Sequence, residues 1–213
     1  VSEAAGLFIS FEGIDGVGKS TQADLLQSYL QDRGLEVVRT FEPGGTELGA
    51  EIRHLLLHRK GEVSARSEAL LYAADRAHHV ASKILPSLTA GKVVITDRFL
   101  DSSVAYQGAG RELDLEEIRN LSLWAVGNLL PELTVLLDLD AEAAAKRRER
   151  TGTEPDRLER ERIGFFEAAR NSYLDLAAKE PKRFLVVDAN AEPEAIWNQI
   201  RPRIDALLES KGL

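Results

Sequence analysis

The sequence predicts an open α/β fold: a five-stranded parallel sheet flanked by helices on both faces, with a short arginine-rich lid. Three observations carry this prediction. Five short apolar, β-rich runs recur along the chain. Helical patterns separate them. A glycine-rich turn stands between the first run and the first helix. Nearly continuous apolar runs suit strands buried on both faces, which is the environment of a parallel sheet. Parallel neighbours need long crossovers, and the helices supply them.

Taken in order, the first strand is Leu7–Phe11, opened by Gly6. A helix follows over Lys19–Arg33, with apolar Leu25, Leu26, Tyr29 and Leu30 at helical spacing and Gly34 as its stop. The second strand is Leu35–Phe41 and the third Val93–Thr96, punctuated by Gly34 and Gly91. Between them lie helical patterns at Glu47–Leu57 and Ala65–Leu85. Leu115–Leu130 leads to a fourth strand, Leu133–Leu137, after Pro131. Ala141–Arg150 and Leu158–Ala178 then precede the fifth, Phe184–Val187, after Pro181. Pro193–Leu208 closes the pattern. Ligands of such sheets sit beyond the carboxyl ends of the strands, and the motifs below fall there.

With 213 residues the chain is expected to form one domain over 1–213, with a lid at about 147–158. It holds no cysteine, which removes disulfides, thiolate metal sites and a cysteine nucleophile. Lys and Arg total 27 against 35 Asp and Glu, a net charge of −8. Such a balance argues against a nucleic-acid polymer or an anionic membrane as partner. No segment approaches the ~18 apolar residues of a membrane span. The first residues, VSEAAG, lack a basic region and an apolar core, so no secretory signal is expected and the cytoplasm is the default compartment.

The sharpest motif is GIDGVGKS at 13–20, directly after a strand and opening a helix. It fits the phosphate-binding loop pattern G-x-x-x-x-G-K-[ST] in its required context. Gly13, Gly16 and Gly18 let backbone N–H groups turn inward around phosphates, with Ile14, Asp15 and Val17 between them. The helix start adds free N–H groups and a positive dipole end. Lys19 can reach the outer phosphates, Ser20 can ligate Mg²⁺, and Thr21 completes the turn. The ligand class is a nucleoside triphosphate. A GTPase would carry N-K-x-D or T-K-x-D, and neither Asn-Lys nor Thr-Lys occurs. A motor ATPase usually needs more chain. A small-molecule kinase reading is left ahead.

Two further features fit it. The run 146–162, KRRERTGTEPDRLERER, holds 7 basic and 5 acidic residues, broken by Gly152 and Pro155. Part of it reads as a solvated helix face. Its helix–turn–helix form also suits a lid whose arginines grip a transferring phosphoryl group, with Arg147, Arg150 and Arg157 the candidates. The third strand ends in Asp97-Arg98. Asp97 is placed to help hold Mg²⁺ and Arg98 to bind a second phosphate, although an Asp-Arg pair alone reads as a structural ion pair. The four histidines, His54, His58, His78 and His79, read as surface or packing residues.

These motifs together resemble bacterial thymidylate kinase, within the P-loop nucleoside monophosphate kinases. The resemblance runs through FEGIDGVGKST at 11–21, EPGGT at 42–46 with Arg53 after it, LLYAADR at 70–76, TDRFLDSSVAYQG at 96–108, LLDL at 136–139 and DRLE at 156–159. It implies ATP- and Mg²⁺-dependent phosphorylation of dTMP to dTDP by a homodimer. It further implies that Arg98 holds the acceptor phosphate with help from Arg53, with Glu42 nearby. Tyr72, where the family usually has Phe, would stack on thymine, and a flat ring is all stacking needs. Arg76 would donate to thymine O4. Ser103 and Gln107 would complete the base contacts. Tyr106 would crowd the sugar 2′ position, and Asp15 would meet the acceptor's sugar hydroxyl and the metal-bound phosphates. Gly16 stands where some members have Arg, so the lid is expected to supply the arginine. The chain departs from the family at Phe41, where Arg is usual, and at Ala141, where Pro is common. Two rivals stay open at this level: a kinase of thymidine itself, with Glu12 or Asp15 as base, and a nucleotide-binding module without turnover.

Overall fold

The computed structural model describes residues 6–150 and 154–213. The expectations for the N-terminal stretch and for the TGT turn at 151–153 lie outside the described residues. The order is β1 (Leu7–Glu12), α1 (Lys19–Gln31), β2 (Val37–Phe41), α2 (Glu47–Leu57), α3 (Ala65–His79), α4 (Leu85–Thr89), β3 (Val93–Asp97), α5 (Leu100–Ser103), α6 (Leu115–Ala125), β4 (Leu133–Asp138), α7 (Ala141–Glu149), α8 (Ile163–Lys179), β5 (Phe184–Asp188) and α9 (Pro193–Lys211). The sheet runs β2-β3-β1-β4-β5, and every pairing is parallel.

The strand residues alternate between two apolar layers, as a period of two requires. Leu7, Ile9, Val93 and Ile95 pack with Leu26 and Leu30 of α1 and Ile200 and Ile204 of α9. Phe8 and Val94 face Val80, Ile84, Leu88, Leu100 and Val126. β1 is central, so its carboxyl end is flanked by β3 and β4. Phe11 is in register with Asp97 on one side and Val135 on the other. Asp97 is thereby carried to the mouth of the phosphate loop that leaves β1.

Several boundaries differ from the sequence reading. The helix expected over Ala65–Leu85 is interrupted by a π-helical turn at Val80–Ile84 before α4. Pro86 offers no N–H to the carbonyl four residues back, so the ladder changes register there. A second π-helical turn, Val104–Gly110, continues α5 and carries the Tyr106 and Gln107 side chains. No hydrophobic period announced it. The helix expected from Leu158 starts at Ile163. Asp156 diverts the chain first: its Oδ1 accepts the N–H groups of Leu158 and Glu159 at 2.8 and 2.9 Å and closes a local turn. Ala141, standing where Pro is common, still opens a helix, because Asp140 caps α7 through the N–H groups of Glu142 and Ala143.

Candidate active site

The phosphate loop Gly13–Ser20 turns between β1 and α1 at the carboxyl edge of the sheet. Gly13 and Gly16 have φ of 131° and 91°. A Cβ at either would stand 2.5 Å from a carbonyl oxygen, of Leu137 and of Ala144 respectively. Both therefore need glycine for two reasons, backbone conformation and space. Lys19 is buried, and its Nζ donates to the carbonyls of Gly13 and Ile14 at 3.1 and 3.0 Å. Burial and then Arg98 push the Lys19 pKa down. Ser20 Oγ donates to Asp97 Oδ2 at 2.9 Å.

Arg98 is the junction of the site. It adopts φ 71°, a left-handed backbone that a non-glycine residue rarely holds. Its N–H donates to Phe11 O at 2.9 Å, and Thr96 Oγ1 donates to its carbonyl at 2.8 Å. This turn sends the guanidinium across the loop. Nη2 donates to Asp15 Oδ1 at 2.6 Å and to Tyr106 Oη at 3.1 Å. Nη1 donates to Ser102 Oγ at 3.1 Å and Tyr173 Oη at 3.3 Å. Tyr106 in turn donates to Asp15 Oδ2 at 3.1 Å. Burial alone would raise the Asp15 pKa, but Arg98 and then Lys19 outweigh it and hold the carboxyl well below the usual range.

An open cleft of about 1240 Å³ spreads from this junction over Gly16–Thr21. Its walls include Lys19, Arg39, Arg53, Arg98, Arg147 and Arg148, with Asp15, Asp24, Glu42, Asp97, Glu149, Glu154 and Glu159. The cleft as a whole is thus of mixed charge, and its cations are concentrated by position. A narrow slot of about 80 Å³ opens off it, shared through Asp15, Glu42, Arg53 and Arg98. Tyr72, Arg76, Tyr106 and Gln107 line the slot.

Most of the sequence-predicted residues meet in this space, while Ser103, Arg150 and Arg157 do not. Arg76 is 1 % exposed, and its guanidinium is spread over Glu42 Oε2 at 2.6 Å, Ser103 Oγ at 3.0 Å and Phe99 O at 3.0 Å. Ser103 stands behind Arg76 and does not line the slot. Glu42 also accepts from His79 Nδ1 at 2.9 Å, and His79 Nε2 meets Thr40 Oγ1 at 2.7 Å. His79 is therefore a buried support of the site, while His54, His58 and His78 are exposed. Gln107 Nε2 donates to Glu68 Oε1 at 3.0 Å. Arg53 donates to Pro43 O at 2.9 Å, with its guanidinium over Phe41.

Of the three lid candidates, only Arg147 lines the cleft, held by Ala189 O at 2.8 Å. Arg148 lines it too, 4.7 Å over the Phe166 ring. Arg150 is exposed and lies outside both cavities. Arg157 is turned away: Nε donates to Leu56 O at 2.7 Å and Nη2 to Glu68 Oε2. A buried carboxylate with room for several donors outcompetes an open cleft for that guanidinium.

Among the described residues no three His, Cys, Asp or Glu side chains gather as a metal cage. A hydroxyl and one carboxylate at the loop mouth are nonetheless the hard oxygen donors Mg²⁺ takes when nucleotide phosphates complete its shell.

The family model described as thymidylate kinase matches residues 11–200. The chain belongs to the thymidylate kinase family. A thymidylate kinase of Clavibacter michiganensis subsp. michiganensis is 60 % identical over 203 residues, covering 95 % of this chain and 96 % of that protein. One from Leifsonia xyli subsp. xyli is 61 % identical over 200 residues, covering 94 % and 95 %. The crystal structure of thymidylate kinase from Ehrlichia chaffeensis superposes with a TM-score of 0.78 at 33 % identity, covering 93 % of this chain and 98 % of that one. No helix among the described residues is long and apolar enough to cross a membrane.

Four residues around the site carried no expected role. Ser102 lines the slot, while Tyr173, Glu68 and Asp75 are buried beside it. Ser102 sits inside the DRFLDSS motif beside Ser103. Tyr173 lies on α8, 75 residues from Arg98 in sequence, with no local signal. Glu68 and Asp75 are charged residues on the buried side of α3, legible in principle by their helical phase with Tyr72 and Arg76.

Proposed function

We propose that this protein phosphorylates dTMP to dTDP with ATP and Mg²⁺, as a nucleotide-synthesising transferase. The observation that carries the reading is Arg98, one guanidinium bordering both the phosphate-loop cleft and the slot of Tyr72 and Gln107. The donor occupies the cleft and the acceptor the slot, so Arg98 faces the acceptor phosphate where the two meet. A phosphate monoester has its second pKa near ~6, so the acceptor is already anionic at neutral pH. It needs placement and charge balance more than a general base.

The phosphate loop, Gly13–Thr21, binds ATP. Lys19 exchanges its two backbone carbonyls for outer phosphate oxygens, and those carbonyls hold it close beforehand. Ser20 and Asp97 are the groups that would hold Mg²⁺, which when bound offsets charge on the donor phosphates. Asp15 and Tyr106 hold Arg98 and border the acceptor sugar. Tyr72 stacks on the base, and Arg76 and Gln107 read its edge. Glu42 and Ser103 serve by orienting Arg76. Arg53 adds charge beside the acceptor phosphate. Arg147 and Arg150 supply the lid charge of the segment about 147–158, while Arg157 anchors that segment to Glu68. Exposed Leu48, Leu55 and Leu70 on the paired helices α2 and α3 support a homodimer, and the reading places the enzyme in the cytoplasm.

The test supplies purified protein with ATP, Mg²⁺ and a panel of acceptors, following ADP release. dTMP should far exceed AMP, GMP, CMP, UMP and thymidine. Equal release with any of these overturns the reading.

A further inference from the structure

Behind Arg98, on the side away from the cleft, three oxygen atoms form a closed triangle. Glu12 Oε2 lies 2.6 Å from Ser102 Oγ and 2.8 Å from Tyr173 Oη. The two hydroxyls are 2.8 Å from each other. All three edges are of hydrogen-bond length. Glu12 is fully buried and Tyr173 is 1 % exposed. Both hydroxyls also accept from Arg98 Nη1.

The protons can be counted. Each hydroxyl brings one, and neither can borrow from Arg98, whose N–H groups already point at their oxygens. An ionised Glu12 brings none. Two protons cannot fill three edges, and the unfilled edge would set lone pairs against each other at 2.8 Å. One proton on Glu12 Oε2 completes the ring. Glu12 then donates to Tyr173, Tyr173 to Ser102, and Ser102 back to Glu12, with one lone pair of each hydroxyl left for Arg98. The other carboxyl oxygen, Oε1, is already an acceptor, from Phe99 N–H at 2.7 Å.

We infer that Glu12 is a positioning residue for Arg98, acting as a neutral acid through the hydroxyls of Ser102 and Tyr173. The inference rests on the reading of Arg98 as the acceptor-phosphate group. Its consequence is electrostatic. A neutral Glu12 orients Arg98 through the two hydroxyls without cancelling its charge, which leaves Asp15 as the carboxylate that balances the guanidinium directly. The surroundings agree. Burial and then Asp101 on α5 push the Glu12 pKa up to about 7, against Ser102, Arg98 and Tyr173. Lys19 at the start of α1 also feels the Glu12 charge, and Arg183 partly offsets Asp101 by pairing with it.

Four variants and one spectrum test it. Glu12→Ala should raise the dTMP KM at least about tenfold, with a smaller fall in kcat. Glu12→Gln should recover part of that loss: its amide keeps the Oε1 acceptor for Phe99 N–H and sets an N–H toward Tyr173, but its nitrogen has no lone pair for the Ser102 hydroxyl. Should Glu12→Ala fail to fold, Tyr173→Phe opens the ring with the carboxyl intact and should also raise the dTMP KM. In the infrared difference between the parent protein and Glu12→Gln, where the Asp75 acid cancels, a buried acid carbonyl band should be present near pH ~6 and fade toward pH ~8.5. The lack of that band overturns the neutral acid. An unchanged KM in both Glu12→Ala and Tyr173→Phe overturns the positioning role. Arg98→Ala runs in parallel. If it leaves the dTMP KM unchanged, the reading of Arg98 itself fails, while the band still reports the Glu12 proton.

Discussion

At the scale of single residues the site is made of charges held by specific partners. Arg98 is the clearest case. Its left-handed backbone and four side-chain partners leave little freedom, so the guanidinium is held in place where the cleft and the slot meet. Arg98→Lys keeps the charge but loses the planar fork that spans Asp15 and the two hydroxyls. Its kcat/KM for dTMP should fall by a factor of about 10² or more, measured by the same ADP-release assay. Asp75 gives a stability prediction with a sign. Burial and then Glu42 raise its pKa to about 6, and its Oδ2 is buried without a partner. Between the ordinary aspartate value and about 6, the folded protein holds a proton that the unfolded chain has lost. Stability from this group is therefore present at low pH and declines as pH rises through that window. Asp75→Asn should remove that decline, read as a flatter melting temperature from about pH 4 to pH 6.5. Asp75 was invisible as a stability element in the sequence, because nothing local announces that Gly44 and Glu42 close over it.

At the scale of elements, helix phase and loop geometry decide which residues share a surface. Glu68, Tyr72, Asp75, Arg76 and His79 all lie on the buried side of α3, so one helix both floors the slot and braces it. That grouping was legible, since residues three and four apart share a helix face. The two π-helical turns were not. Each depends on which carbonyls find partners in three dimensions, and the second alone aims Tyr106 and Gln107 inward. The phosphate loop and α7 are coupled at Gly16, where an added Cβ would press on Ala144 O. Gly16→Ala should cost about 1–3 kcal/mol in thermal or urea unfolding and weaken ATP binding by calorimetry.

At the scale of the whole molecule, ion pairs far apart in sequence fasten the layers. Asp101 on α5 receives a bidentate pair from Arg183, just before β5, at 2.6 and 2.9 Å, and Arg183 also donates to Thr134 at 2.9 Å. Asp101 is fully buried and Arg183 nearly so. Removing Asp101 costs the nearly buried Arg183 its bidentate partner and leaves it Glu180, 2.7 Å from its Nε. Asp101→Ala should therefore destabilise the fold by about 1.5–3 kcal/mol in chemical denaturation. The sequence by itself determined the class of sheet, because apolar runs buried on both faces and helical crossovers leave few alternatives. It also determined the phosphate-loop motif and the family's contiguous motifs, which are legible because their residues are neighbours in the chain. Only the tertiary structure decided the partners: that Arg157 goes to Glu68 and not to the cleft, that Tyr173 of α8 reaches Arg98, and that Glu12 is sealed behind both. The physical reason is that a buried charge takes the partners that close packing brings to it, and those lie up to 161 residues away along the chain.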